Sequence, residues 1–173
     1  AEQDKAIAYM DAGGRFMVAD NDLGYYDGGT IFYDTYLQST YVSDAGSDGT
    51  VVGKDIMAGI STDISADPYP DDFTAGAEGV GIFDAPSGNL AGIRVERNGY
   101  RALYLAWDYR YTGVAEQVPI MGAAMTWLFS GVTWLSENPT SGTLPPGAPP
   151  LGLDTRPLRQ ITDGSAPDRP IAT

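Results

Sequence analysis

The chain has 173 residues, 43% of them hydrophobic, with 23 Asp and Glu against 10 Lys and Arg, for a net charge of −13. It contains no histidine and no cysteine, which excludes disulfides, thiolate chemistry and an imidazole general base. The length suits one domain with an appendage, the acidity repels nucleic acid and anionic membrane, and no apolar run nears the roughly 20 residues that span a bilayer.

Residues 2–12 carry Ala6, Ile7, Tyr9 and Met10 at helical spacing, and Gly13-Gly14 supplies a stop. Arg15 to Ala19 reads as a short apolar strand of the kind a sheet covers on both faces. Asp20 to Gly29 is a loop rich in Asp and Gly. Thr30 to Tyr41 reads as a helix with Thr30 as N-cap and Ile31, Phe32, Tyr36 and Leu37 turned to the core. Short strands and turns follow, then an acidic, proline-locked loop around Asp67, Asp71 and Asp72 that reads as solvated. Gly79 to Asp84 is a strand. Leu90 to Glu96 and Tyr100 to Trp107 form a hairpin at Asn98-Gly99. A helix near Glu116 to Phe129 closes the series. Beyond Gly131 the composition changes: residues 132–173 hold eight of the twelve prolines and read as an extended tail. The expected division is therefore a domain over 1–131 and a Pro-rich extension over 132–173.

The motif YMDAGGRFMVADNDLGYYDGGTIFYDTYL, followed by GYRALYLAWDYRYTG and MTWL, resembles the C-terminal half of class I glutamine amidotransferase-like domains over about residues 3–129. That resemblance implies an α/β fold, an open flavodoxin-like sheet flanked by helices, and an extracellular or cell-surface setting. In catalytic relatives a Cys sits on the turn that is here Ala19-Asp20-Asn21-Asp22-Leu23-Gly24. With neither Cys nor His available, the resemblance implies a catalytically degenerate domain. Residues 132–147, VTWLSENPTSGTLPPG, resemble the opening strand of bacterial immunoglobulin-like modules of the BACON type, cut short by the tail. A lone strand with open edges invites pairing across chains.

Two functions compete. The first is a non-catalytic secreted structural or interaction module, assembling into a filament or sheath with copies of itself or neighbouring modules. Its contact residues would be Trp134, Leu135, Pro139, Leu144, Leu151 and Leu153. The second is a calcium-dependent ligand-binding accessory domain of a secreted peptidase or glycanase. Asp20, Asp22 and Asp27, in the pattern D-N-D-x-G-x-x-D, offer the closely spaced oxygens a hard cation needs, although the Glu that closes an EF-hand loop is missing. Asp44 and Asp48 form a weaker pair of the same kind. Tyr25, Tyr26, Tyr33, Tyr36 and Tyr41 cluster near the first loop. Trp107 to Tyr111 marks a strand end that a ligand rim would occupy. The absence of an initiator Met at Ala1 suggests a processed product.

Overall fold

Strand β1 (Arg15–Ala19) and strand β8 (Tyr100–Leu105) run side by side and parallel, with Phe16 opposite Ala102 and Val18 opposite Tyr104. The structure, a computed structural model, describes residues 2–44 and 46–131. Two units divide the chain, Ala1–Trp134 and Leu135–Thr173. Trp134 and the whole second unit, with the expected contact residues Leu135, Pro139, Leu144, Leu151 and Leu153, lie outside the described residues.

The remaining strands in chain order are β2 (Ser39–Ser43), β3 (Thr50–Gly53), β4 (Ser61–Asp63), β5 (Asp72–Ala75), β6 (Gly79–Asp84) and β7 (Leu90–Arg97). The sheet runs β1-β8-β7-β6-β3-β4, and the β2–β5 ribbon branches off where Phe73 meets Leu90. Apart from β1 with β8, every pairing is antiparallel. The helices are α1 (Glu2–Asp11), the short α2 (Leu23–Asp27) and α3 (Val114–Phe129), with a single π-helical turn at Ile31–Tyr36.

The expected open flavodoxin-like sheet flanked by helices is therefore corrected. The described chain forms a curled, mixed sheet of eight strands with few helices. Parallel neighbours need crossovers of a dozen or more residues, and between β2 and β8 the connections are too short to supply them. Instead β3 with β4, β6 with β7 and β7 with β8 fold back as hairpins. The curl has a local cause in β6 and β7, whose register shifts between Gly81 and Asp84. There Gly92 sits under the Phe83 ring, where a Cβ would come within 3.0 Å of it. Bulges and glycines of this kind bend a strand and sharpen its twist.

The hairpin between β7 and β8 is as the sequence predicts. Asn98 (φ 49°) and Gly99 (φ 86°) take the two left-handed positions of a type I′ turn. The helix expected over Thr30–Tyr41 is only half there. Thr30 does cap it, accepting from the Tyr33 amide at 3.2 Å. Gln38 then turns left-handed (φ 52°), and the chain continues as β2. Phe32 and Leu37 are buried as expected, but Ile31 is 67% exposed.

Period-two alternation along β8 splits the core into two layers. Tyr100, Ala102 and Tyr104 face α1, with Met10, Phe32, Tyr33, Phe73, Ile93 and Val95. Leu103 and Leu105 face α3, with Val51, Ile82, Phe83, Trp107, Ile120 and Ala124. At the sheet's edge, the Tyr9 hydroxyl accepts from the Arg15 amide at 3.2 Å and donates to the Arg15 carbonyl at 3.4 Å.

Candidate functional site

The C-terminal ends of β1 and β8 open into the loops where the sequence places its candidate ligands. The Asp20 amide extends the ladder to the Leu105 carbonyl at 3.1 Å, and Asp20 Oδ1 accepts from the Asp22 amide at 2.9 Å. This closes an ordinary Asx turn. Asp67 then ties three loops together. Its Oδ1 accepts from Asn21 Nδ2 at 2.7 Å and from the Tyr69 amide at 3.2 Å, and its Oδ2 accepts from the Asp108 amide at 2.9 Å.

Asp71 lies deeper. Its Oδ2 accepts from the amides of Gly24 (2.8 Å) and Tyr25 (3.3 Å), which begin α2. Its Oδ1 is buried and finds no hydrogen-bond partner among the described residues, and the rings of the buried Tyr33 and Tyr104 stand edge to face at 5.7 Å, with each hydroxyl in the other's neighbourhood. Burial pushes the Asp71 carboxyl up to about 7 against the lowering effect of the two amides, with Asp44 and Asp22 adding to the rise. Burial likewise raises Tyr33 and Tyr104, each further raised by Asp71. The space is tight: a Cβ on Gly24 would come within 2.7 Å of the Tyr33 hydroxyl and 2.9 Å of Asp71 Oδ2.

Asp72, the next residue, has the opposite electrostatics. Burial disfavours its charge, but hydrogen bonds from Ser87 (2.6 Å), Asn89 (2.7 Å) and Ser43 (2.8 Å) outweigh that and hold it below the usual carboxylate range. The expectation of a solvated loop around Asp67, Asp71 and Asp72 is thus overturned: all three are buried. The sequence signal that was available is Ser43, Ser87 and Asn89 as donors, but nothing local pairs them with Asp72.

Asp20 and Asp22 stay together, with burial and then the Asp44, Asp20 and Asp67 carboxylates raising Asp22. Asp27 is carried away by α2. It lines a separate groove of about 280 Å³ with Glu2, Ala6, Phe16, Val18 and Phe32. Among the described residues, no three carboxylates converge closely enough to hold a metal ion. Trp107 is wholly buried, its indole N–H donating to Thr112 Oγ1 at 2.9 Å, so it is core rather than rim. Tyr25 and Tyr26 are exposed and meet edge to face at 5.1 Å.

One surface that the residue-by-residue reading missed is α3. Ile120, Ala124 and Leu128 bury its inner face, while Val114 (85%), Val118 (78%), Met125 (39%) and Phe129 (37%) remain exposed. Glu116 is the only charge in its sixteen residues, and that was the available signal. A helix resting on one side of a core ordinarily carries polar residues on the other.

No protein-family model matches this chain, and no curated protein matches it. Solved structures do. The chain is similar to the mmIFT52 N-terminal domain at 16% identity and a TM-score of 0.54, covering 75% of this chain and 71% of that one. It is also similar to part of a cold-adapted β-galactosidase from Rahnella sp. R3 at 12% identity and a TM-score of 0.55, covering 73% and 20%. The third is the exo-β-1,4-mannosidase Op5Man5 from Opitutaceae bacterium strain TAV5, at 8% identity and a TM-score of 0.51, covering 82% and 24%. The chain thus spans about a fifth to a quarter of the two glycosidase chains. At such identities the likeness concerns the fold alone. The expected recognition, an amidotransferase-like flavodoxin half followed by the start of a BACON-type module, is corrected on these findings and on the curled sheet itself. Its motifs are short local patterns that do not fix how strands pair.

Proposed function

We propose that this chain is a non-catalytic interaction module of an extracellular assembly, joined to copies of itself or to neighbouring modules. The observation that carries this reading is the outer face of α3, where four exposed apolar side chains, Val114, Val118, Met125 and Phe129, lie on one helix that carries a single charge. The chain's polar machinery supports it from the other side. Asp71, Tyr33 and Tyr104 are sealed beneath the surface, and Asp67 and Asp72 are saturated by hydrogen bonds that hold loops together. The likeness to parts of two larger chains is compatible with a module built into a longer protein.

The calcium-dependent alternative has less to support it, since no three carboxylates converge among the described residues. The test is the light-scattering mass of the full chain, with and without EDTA, and of a version lacking residues 132–173. The expected result is a mass above the 18.4 kDa monomer that EDTA leaves unchanged. A monomer at every concentration, with a melting temperature that falls on chelation, would overturn the proposal in favour of the calcium module.

A further inference from the structure

Resting on that reading, we propose that the outer face of α3 is the contact between two copies of this chain, paired antiparallel across Gly122. Val114, Val118, Met121, Met125 and Phe129 follow one another at spacings of four, three, four and four residues. With Gly122 they occupy an arc of roughly 100° on the helix. The order is close to symmetric about the middle of the helix. Turning a second copy end for end sets Val118 against Met125 and Val114 against Phe129, which is the self-complementarity a two-fold contact demands.

Gly122 sits at the centre of this arrangement, exposed, with no heavy atom within 4 Å of where its Cβ would be. At a helix crossing, a missing side chain lets two backbones approach and side chains interlock on either side. Beside it, Tyr109, Gln117, Val118, Met121 and Met125 border a shallow apolar depression of about 410 Å³ that can receive Met125 of the second copy.

The self-complementary order of the stripe selects the occupant, and electrostatics limits where copies can touch. Two chains of net charge −13 repel one another over most of their surfaces. On α3 the only charge is Glu116, whose position is roughly 170° around the helix from the stripe and whose carboxylate lies over Gly113. This is the face on which two such chains meet at least cost. A sixteen-residue helix is about 24 Å long, so one helix pair falls short of the roughly 1,200–2,000 Å² of a standard interface. The dimer is accordingly weak, and salt strengthens it by screening the repulsion between the copies.

The absence of cysteine makes the test clean. Full-length Gly122→Cys, Val114→Cys and Phe129→Cys variants are oxidised under mild conditions across a range of protein and salt concentrations, after circular dichroism has shown native melting. Gly122→Cys is expected to cross-link to itself about tenfold faster than Val114→Cys does, because pairing raises the effective concentration only near the axis. A mixture of Val114→Cys with Phe129→Cys is expected to give the mixed dimer. Val118→Glu with Met125→Glu, added to the Gly122→Cys chain, should abolish the fast cross-link. Equal, slow rates for Gly122→Cys and Val114→Cys overturn the proposal. So does a Gly122 thiol that becomes reactive only when residues 132–173 are removed, which would make the chain's own extension the occupant. A large particle that persists without the Gly122 cross-link sinks this contact but leaves the module reading intact, whereas a monomer throughout sinks both.

Discussion

The two faces of the sheet solve the same problem differently. Facing α1, the core is aromatic and polar at its rim: Tyr33, Phe73, Tyr100 and Tyr104 pack with Met10 and Leu37, and Asp71 sits at the end of the layer with an unpaired oxygen. Facing α3, the core is mainly aliphatic around Trp107 and Phe83, whose rings meet edge to face at 5.2 Å, and its polar needs are met by one indole hydrogen bond. The first layer keeps its unresolved chemistry inside. The second is internally satisfied and leaves its unresolved surface outside, on α3. Buried polar atoms tie a layer to a unique geometry, whereas an apolar outer face asks for a partner.

The comparison can be broken most severely at Trp107. Trp107→Ala should cost about 3–5 kcal/mol by urea denaturation, since the cavity lies where β8, β6 and α3 meet. A cost below about 1 kcal/mol would mean that the aliphatic layer does not depend on it. On the opposite face, Asp71→Ala strands the amides of Gly24 and Tyr25 and should cost about 2–4 kcal/mol. Asp71→Asn keeps an acceptor for them and should cost much less. Equal losses for the two variants would show that the carboxylate's hydrogen bonds are not what holds α2 in place.

The same carboxyl gives the α1 face a pH signature. Its folded pKa, about 7, lies above the unfolded value of 3.8, so the folded state binds the proton more tightly. Stability should therefore fall as pH rises from about 4 to about 7, and Asp71→Asn should flatten that slope. Asp72 works in reverse: its lowered pKa stabilises the fold above the unfolded value, and that contribution is lost on acidification. Melting curves at about pH 2.5, 4, 5.5, 7 and 8 for Asp71→Asn and Asp72→Asn separate the two, the first acting between about 4 and 7 and the second below about 4. Smaller effects belong to the turn and the loop. Gly99→Ala should cost about 1–2 kcal/mol, because φ of 86° strains any side chain. Asp27→Ala should stay within about 0.5 kcal/mol, with a melting temperature indifferent to EDTA.

What could be read from the sequence was local. β1 and β6 were legible at both ends, and the β7–β8 hairpin because Asn98-Gly99 admits few other turns. The last helix was legible from its apolar run, although its first turn was not. Strand pairing was not legible. β5 begins at Asp72, a residue that argues against a strand until Ser43, Ser87 and Asn89 arrive from elsewhere to satisfy it. The stretch after Thr30 fits a helix and a strand equally well until Gln38 turns left-handed. Asp20 and Asp22 lie in one Asx turn, whereas Asp27 falls at the end of a five-residue helix that reads as loop from sequence alone.

Tyr9 shows how little separates a finished sheet from a growing one. Among the described residues β1 has a neighbour on one side only, and at its first residue a single phenol occupies both the amide and the carbonyl that a further strand would use. Gly14 makes this possible, since a Cβ there would collide with the Tyr9 ring. Tyrosine and glycine together act as a stopper on the ladder. A methyl group at residue 14 would dislodge it, converting a blunt margin into a template for strand-by-strand polymerisation.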